Sequence, residues 1–103
     1  MPVPRLIVPI EEDSILQILW DDDDLSRYPF EYLRGWCPCA ACQGHGAERR
    51  FIAVTSPKLV GINMVGRYAL NPRWDDGHET GIYTFEYLRD LSEQLQSENT
   101  AKG

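Results

Sequence analysis

The sequence predicts a small α+β domain, in which a mostly antiparallel β-sheet carries a C-terminal helix and a metal-bound cysteine loop. Short apolar runs separated by Pro, Gly and Asp fill the first three quarters of the chain, a pattern typical of strands. Apolar residues then recur at helical spacing. A chain of 103 residues suits one domain, so we expect a single unit over 1–103 with its core at about 6–96.

The N-terminal third reads as two strands and a helical turn. Residues 5–10 predict the first strand, in which Pro9 marks an edge strand or the strand end. Residues 14–20 predict the second. Acidic segments at 11–13 and 21–24 predict turns, and residues 29–34 predict a short helical turn that leads to the cysteines.

The remainder of the chain reads as a loop, further strands and a helix. Residues 43–50 are rich in Gly and polar residues and predict a loop. Residues 51–74 predict two or three short strands. Thr84 is placed as the N-cap of a helix that runs to about Gln96, and residues 97–103 are expected to be disordered. The apolar face of that helix should pack on the sheet as core: Phe85, Leu88, Leu91 and Leu95.

A short internal repeat links the two ends of the chain. The sequence FEYLR at 30–34 recurs at 85–89, and each copy follows a Trp and two aspartates, by ten residues in the first copy and eleven in the second. The repeat is either a trace of duplication or one local solution used twice. The second copy has Gly77-His78 where the first has Asp23-Asp24, so only the second can offer a histidine ligand.

The three cysteines, Cys37, Cys39 and Cys42, fall within six residues. An odd count cannot pair fully, and cysteines two apart strain to meet disulfide geometry. Three thiolates and one imidazole make a closed tetrahedral zinc site. The chain has two histidines that could complete it, the distant His78 and the nearby His45.

The net charge of −6 is unevenly distributed. Residues 1–31 and 75–103 are acidic, whereas residues 32–74 carry six basic side chains and one acidic one. Basic side chains near the cysteines would favour the thiolate forms that bind metal. The overall acidity disfavours nucleic acid as a partner, because an acidic protein repels phosphate backbones.

Membrane and secretion signals are not expected in this chain. No stretch approaches the roughly 20 apolar residues of a membrane span, and residues 1–5 have no signal-peptide pattern. Reduced thiols then place the protein in the cytoplasm.

Four motifs together resemble a known family. They are YLR at 32–34, CPCAAC at 37–42, VGRYAL at 65–70 and WDDGHETGIY at 74–83. The combination is similar to the gamma-butyrobetaine hydroxylase-like N-terminal domain, also known as DUF971, over residues 6–93. This family occurs as free-standing bacterial proteins, ahead of 2-oxoglutarate dioxygenase domains, and attached to P-loop iron–sulfur cluster carriers.

The resemblance implies a zinc ion held by Cys37, Cys39, Cys42 and His78. It therefore favours His78 over His45 as the fourth ligand. Asp75 or Asp76 would accept the other imidazole N–H of His78, or these aspartates would simply form the turn.

We expect no enzymatic activity. The two histidines and carboxylate that hold iron in a dioxygenase are not present as the usual His-x-Asp/Glu pattern, and no P-loop exists. A Cys3His site is full, so its zinc is structural.

Two functions remain. The first is a zinc-binding accessory or interaction module with a protein partner, which should lose its fold with a chelator. The alternative is iron–sulfur cluster binding or assembly. Four aromatics could form a partner surface, although core packing is favoured for them: Tyr28, Trp36, Trp74 and Tyr83.

Overall fold

The computed structural model describes residues 2–38, 51–78 and 81–102, with side chains to residue 96 in the last helix. These residues form two three-stranded antiparallel sheets, each followed by a helix. The first half comprises β1 Pro4–Ile10, β2 Ile15–Trp20, β3 Leu25–Pro29 and α1 Phe30–Gly35. The second half comprises β4 Leu59–Val65, β5 Ala69–Trp74, β6 Tyr83–Thr84 and α2 Phe85–Lys102.

The first sheet confirms both predicted strands and adds a third. A 3-10 turn at Glu11–Asp13 joins β1 to β2, and β1 lies at the sheet edge, as Pro9 indicated. The strand β3 was not predicted. Its residues alternate between exposed and buried, but one of the two buried positions is Ser26, which hides the apolar alternation.

The second sheet places two strands, β4 and β5, in the segment 51–74, where two or three were expected, and its third strand lies beyond that segment. β4 and β5 form a hairpin that pairs Val65 with Ala69 and, past a bulge, Leu59 with Trp74. The two-residue β6 pairs with the start of β5. The predicted single sheet is therefore corrected to two sheets.

The long helix begins where the sequence predicted. The Thr84 hydroxyl accepts the backbone N–H of Tyr87 at 3.0 Å, which is the expected N-cap. The helix continues to Lys102, past the predicted end near Gln96, so residues 97–102 are helical and not disordered. No Gly or Pro interrupts the sequence before Gly103.

One buried cluster contains residues of both sheets and both helices. Tyr28 and Tyr83 are fully buried and Trp74 nearly so, which confirms core packing for these three aromatics, whereas Trp36 is partly buried. Residues 39–50, which include the rest of the cysteine loop after Pro38 and the loop predicted at 43–50, lie outside the described residues.

Candidate metal centre

The end of α1 fixes the backbone of Cys37. The helix stops at Gly35, and the backbone N–H of Cys37 then donates to the carbonyl of Arg34 at 3.2 Å. A side chain at Gly35 would collide with the ring of Phe51, which also packs edge-on against Trp36. These contacts bring Cys37 into the core, where it is fully buried.

A tight turn after β5 fixes His78. The backbone N–H of Gly77 donates to the carbonyl of Trp74 at 3.1 Å, and the N–H of Trp74 donates to the carbonyl of His78 at 3.0 Å. Gly77 has a φ of +82°, in the left-handed region that favours glycine. This φ favours the glycine before the histidine but does not require it, since Asp23 has a φ of +67° in the turn after β2.

The structure brings Cys37 and His78 together across 41 residues of sequence. Cys37 Sγ lies 3.0 Å from His78 Nε2, a hydrogen-bonding contact between thiol and imidazole. Two such donors on one tetrahedral zinc would be about 3.6 Å apart, given zinc–sulfur and zinc–nitrogen bonds of roughly 2.3 and 2.05 Å. The pair is therefore within about half an ångström of a zinc-ligand spacing, and its donor chemistry fits that metal.

Asp76 supports His78 through the backbone. Its Oδ1 accepts the N–H of His78 at 3.0 Å, and its Oδ2 accepts the guanidinium of Arg34 at 3.2 Å. Desolvation raises the pKa of Asp76, but the hydrogen bond from His78 and the charge of Arg34 outweigh it and hold the pKa below its usual value. Asp76 thus links the turn to the nearly buried Arg34 of α1.

Asp75 faces a different element. Its carboxylate accepts the backbone N–H of Lys58 at 3.1 Å, while its own N–H donates to the carbonyl of Lys58 at 2.9 Å. Asp75 therefore ties the turn to the start of β4. The expectation that Asp75 or Asp76 accepts the imidazole N–H stays a prediction.

Two neighbours of Cys37 were missed by sequence reasoning. Gly81 lies so close that a Cβ there would be 2.6 Å from Cys37 Sγ. Tyr83 donates its hydroxyl to the carbonyl of Leu33 at 2.6 Å, and burial, reinforced by the Cys37 thiol, raises its pKa well above 10.0. The signal was present, because the repeat extends to Tyr-x-Phe-Glu-Tyr-Leu-Arg in both copies, at 28–34 and 83–89.

The other predicted ligands lie outside the described residues. Cys39, Cys42 and the alternative His45 fall within 39–50. Among the described residues, no group of three or more Cys, His, Asp or Glu side chains forms a metal-binding cluster. The Cys3His set stays a prediction of which the structure contains one cysteine and the histidine. No helix of the described chain is long and apolar enough to cross a membrane.

A family model and a solved structure place this chain in the same protein family. The family described as gamma-butyrobetaine hydroxylase-like, N-terminal, matches residues 8–89. A crystal structure of a DUF971-family protein of unknown function from Acidithiobacillus ferrooxidans is 36% identical, with a TM-score of 0.72, over 86% of this chain and 91% of that one. An NMR solution structure is 32% identical, with a TM-score of 0.73, over 99% of this chain and 84% of that one.

The curated relatives are much longer proteins. Gamma-butyrobetaine dioxygenase from Homo sapiens is 34% identical over 67 residues, which is 62% of this chain and 17% of that protein. Dioxygenase str8 from Strobilurus tenacellus is 30% identical over 83 residues, which is 74% of this chain and 19% of that protein. The chain therefore spans about a fifth of the length of the curated relatives it matches.

Proposed function

Because this chain belongs to the gamma-butyrobetaine hydroxylase-like N-terminal family, we propose that it is a small zinc-binding accessory module whose metal is structural. The observation that carries the proposal is the 3.0 Å approach of Cys37 Sγ to His78 Nε2. Cys39 and Cys42 follow Cys37 by two and five residues and would supply the other two thiolates.

The location of the pair favours a structural role for the metal. Cys37 follows α1 in the first half, whereas His78 belongs to the turn after β5 in the second half. When bound, the metal would supply a cross-link between these two halves. Four protein ligands would leave no coordination position for a catalytic water.

In this proposal the module acts together with a partner protein. In both dioxygenase relatives the region of similar sequence makes up less than a fifth of the protein. The two histidines of this chain cannot supply both an iron site and the fourth zinc ligand. We therefore assign no catalytic step to it and expect it to act through protein contacts.

Metal analysis of the protein purified without air tests the proposal. The expected result is one equivalent of zinc and no visible absorption. Iron with sulfide and a visible charge-transfer band would instead identify a cluster-binding protein. Protein that takes up neither metal would refute both functions.

Matched variants identify the ligands. Cys37→Ala and His78→Ala should each abolish stoichiometric zinc binding, whereas His45→Ala should retain it. Loss of zinc binding in His45→Ala, with retention in His78→Ala, would identify His45 as the fourth ligand.

A further inference from the structure

The sequence repeat corresponds to a reciprocal set of contacts. Tyr28 of the first half donates its hydroxyl to the carbonyl of Leu88 at 2.7 Å. Tyr83 of the second half donates its hydroxyl to the carbonyl of Leu33 at 2.6 Å. The two tyrosines and the two leucines are each separated by 55 residues. Each half therefore donates a tyrosine hydroxyl to an equivalent leucine carbonyl of the other half.

The aromatic contacts between the two halves are reciprocal in the same way. Trp20 packs edge-on against Phe85 with ring centroids 6.2 Å apart, at an interplanar angle of 78°. Trp74 packs against Phe30 at 5.8 Å and 77°. The tryptophan that ends the middle strand of each sheet thus contacts the first helical residue of the opposite half.

The ion pairs follow the same rule. Arg34 of α1 contacts Asp76 at 3.2 Å, and Arg89 of α2 contacts Asp22 at 3.2 Å. The arginines are separated by 55 residues and the aspartates by 54, which reflects the extra residue between Trp and Phe in the second copy. In all three sets of contacts, each half therefore presents to the other the residues that it receives from it.

The turns after β2 and β5 are equivalent in their backbone bonds. The N–H of Trp20 donates to the carbonyl of Asp24 at 2.8 Å, as the N–H of Trp74 donates to that of His78 at 3.0 Å. Asp24 therefore stands where the second half has His78. An ion pair at 3.1 Å joins Asp24 to Arg89.

The same correspondence assigns a counterpart to Cys37 and to Gly81. Beyond the turns, where the second copy has its extra residue, residues 55 positions apart are equivalent, so Ser92 corresponds to Cys37 and Ser26 to Gly81. Ser26 Oγ lies 2.9 Å from Ser92 Oγ, and both side chains are buried. We call this pair the serine seam, and the contact of Cys37 with Gly81 the cysteine seam.

We propose that this domain is an internal duplication with two equivalent seams, and that Gly81 is the positioning residue that makes the cysteine seam a metal-binding one. The proposal rests on the proposed zinc function. In the serine seam, the residue on the strand carries a hydroxyl that fills the space beside Ser92 and hydrogen-bonds to it. In the cysteine seam, the absence of a side chain at Gly81 leaves that space to the sulfur of Cys37.

The backbone does not explain this glycine. Among the described glycines, positive φ occurs at Gly66 and Gly77, whereas Gly81 has a conformation that any residue adopts. The constraint is the space, because a Cβ with ideal geometry at position 81 would lie 2.6 Å from Cys37 Sγ. A side chain there would displace the thiol from His78 Nε2.

Gly81→Ser tests the positioning role, with Gly61→Ser as the matched control. A Cβ at Gly61 would meet the end of the flexible Arg73 side chain, which can move away. Competition between each full-length protein and a zinc chelator should show about 10- to 100-fold weaker binding for Gly81→Ser. Gly61→Ser should match the wild type. Equal affinity of the wild type and Gly81→Ser would overturn the role of Gly81.

The double variant Cys37→Ser/Gly81→Ser tests the equivalence of the seams without metal. It recreates the Ser26–Ser92 pair in the second half, so it should melt in chelator at a higher temperature than Gly81→Ser, by about 5 °C or more. A double variant no more stable than Gly81→Ser would refute the equivalence. If Gly81→Ser does not fold, recovery of a folded, zinc-free double variant supports it, and failure to recover one refutes it.

These two measurements separate the inference from the proposed function. A wild-type protein that binds no zinc would remove the metal function and the metal-positioning role of Gly81. The melting comparison in chelator would still decide whether the two seams are equivalent.

Discussion

The two halves of this domain share a framework and differ in how their seams are closed. In the serine seam, Ser26 and Ser92 hydrogen-bond directly, and the nearby Asp24 is paired with Arg89. In the cysteine seam, the thiol fills the space beside the glycine and also contacts an imidazole, and two further cysteines follow it in sequence. The fold therefore supplies two similar sites, and few substitutions separate a protein-only contact from a candidate metal centre.

Removal of zinc should produce the largest difference between the seams. At free zinc about 1,000 times the Kd, binding contributes about 4 kcal/mol to the free energy of unfolding. Zinc-loaded and chelator-treated protein, compared by urea denaturation, should differ by about this amount. Cys37→Ser should show no zinc-dependent difference.

Hydrogen exchange in the same samples would locate the effect. Chelation should speed exchange of the Cys37 and Gly77 amides, while the Asp23 amide, the counterpart of Gly77, changes less. Equal acceleration in both turns would show that the metal stabilises the two seams alike.

Truncation of the buried leucines should affect both halves similarly. Leu33→Ala and Leu88→Ala each remove a fully buried side chain and should cost about 3 kcal/mol in unfolding free energy. Leu6→Ala, at a site 55% exposed, serves as the control with a much smaller cost. A cost confined to one half in urea denaturation would contradict the equivalence of their packing.

The paired tyrosines should have smaller and matched effects. Tyr28→Phe and Tyr83→Phe each remove a buried hydrogen bond to a carbonyl of the opposite half and should cost about 1–2 kcal/mol. Burial raises the pKa of both tyrosines above 10.0. Their neutral forms therefore stabilise the fold below pH 10, and this contribution is lost as pH rises above it.

Urea denaturation between pH 8 and 11 measures this pH dependence. Each Phe variant should lose less stability than the wild type above pH 10. Unchanged alkaline behaviour in both variants would show that these hydroxyls are not the groups that titrate.

The ion pairs should give the smallest effects and an asymmetric result. Asp76→Asn should cost about 1 kcal/mol, because Arg34 is nearly buried, with 8% of its side chain exposed. Asp22→Asn should cost about 0.5 kcal/mol or less, since the more exposed Arg89 keeps its contact with Asp24. Thermal melting of the metal-free proteins measures both, and equal costs would contradict the difference in burial.

Acid dependence gives a further check on Asp76. Its pKa lies below the usual 3.8 in the folded protein, so its contribution is present above that pH and is lost as pH falls below it. In the metal-free protein, Asp76→Asn should therefore make the free energy of unfolding fall less steeply as the pH is lowered. An equally steep fall in the variant and the wild type would show that other carboxylates cause the loss of stability in acid.

Local sequence signals predicted the elements with clear apolar patterns. β1, β2, α1 and the cap of α2 were all located, because their apolar runs and the Thr84 signal are local. β3 and β6 were missed because Ser26 and Gly81 stand at or beside positions where an apolar residue would reveal a strand. Ser26 hydrogen-bonds to the nearby Trp20 and to the distant Ser92, and Gly81 lies against the sulfur of Cys37. The two long-range contacts are the ones that no local pattern reports.

The candidate site was predicted in part for the same reason. Donor chemistry singled out Cys37, and the resemblance favoured His78 as its partner. The roles of Arg34, Gly81 and Tyr83 depend on contacts between the two halves. The repeat indicated two similar segments, but the exchange of contacts between them required a three-dimensional structure.

The separation of Cys37 from His78 by 41 residues also orders events during protein synthesis. Domains fold as the chain emerges, at about 5–20 residues per second, so Cys37 is made roughly 2–8 seconds before His78. During that interval the nascent chain offers the three thiols and the imidazole of His45, but not that of His78. The proposed zinc site, with His78 as its fourth ligand, is therefore completed only after the second half of the chain has been made.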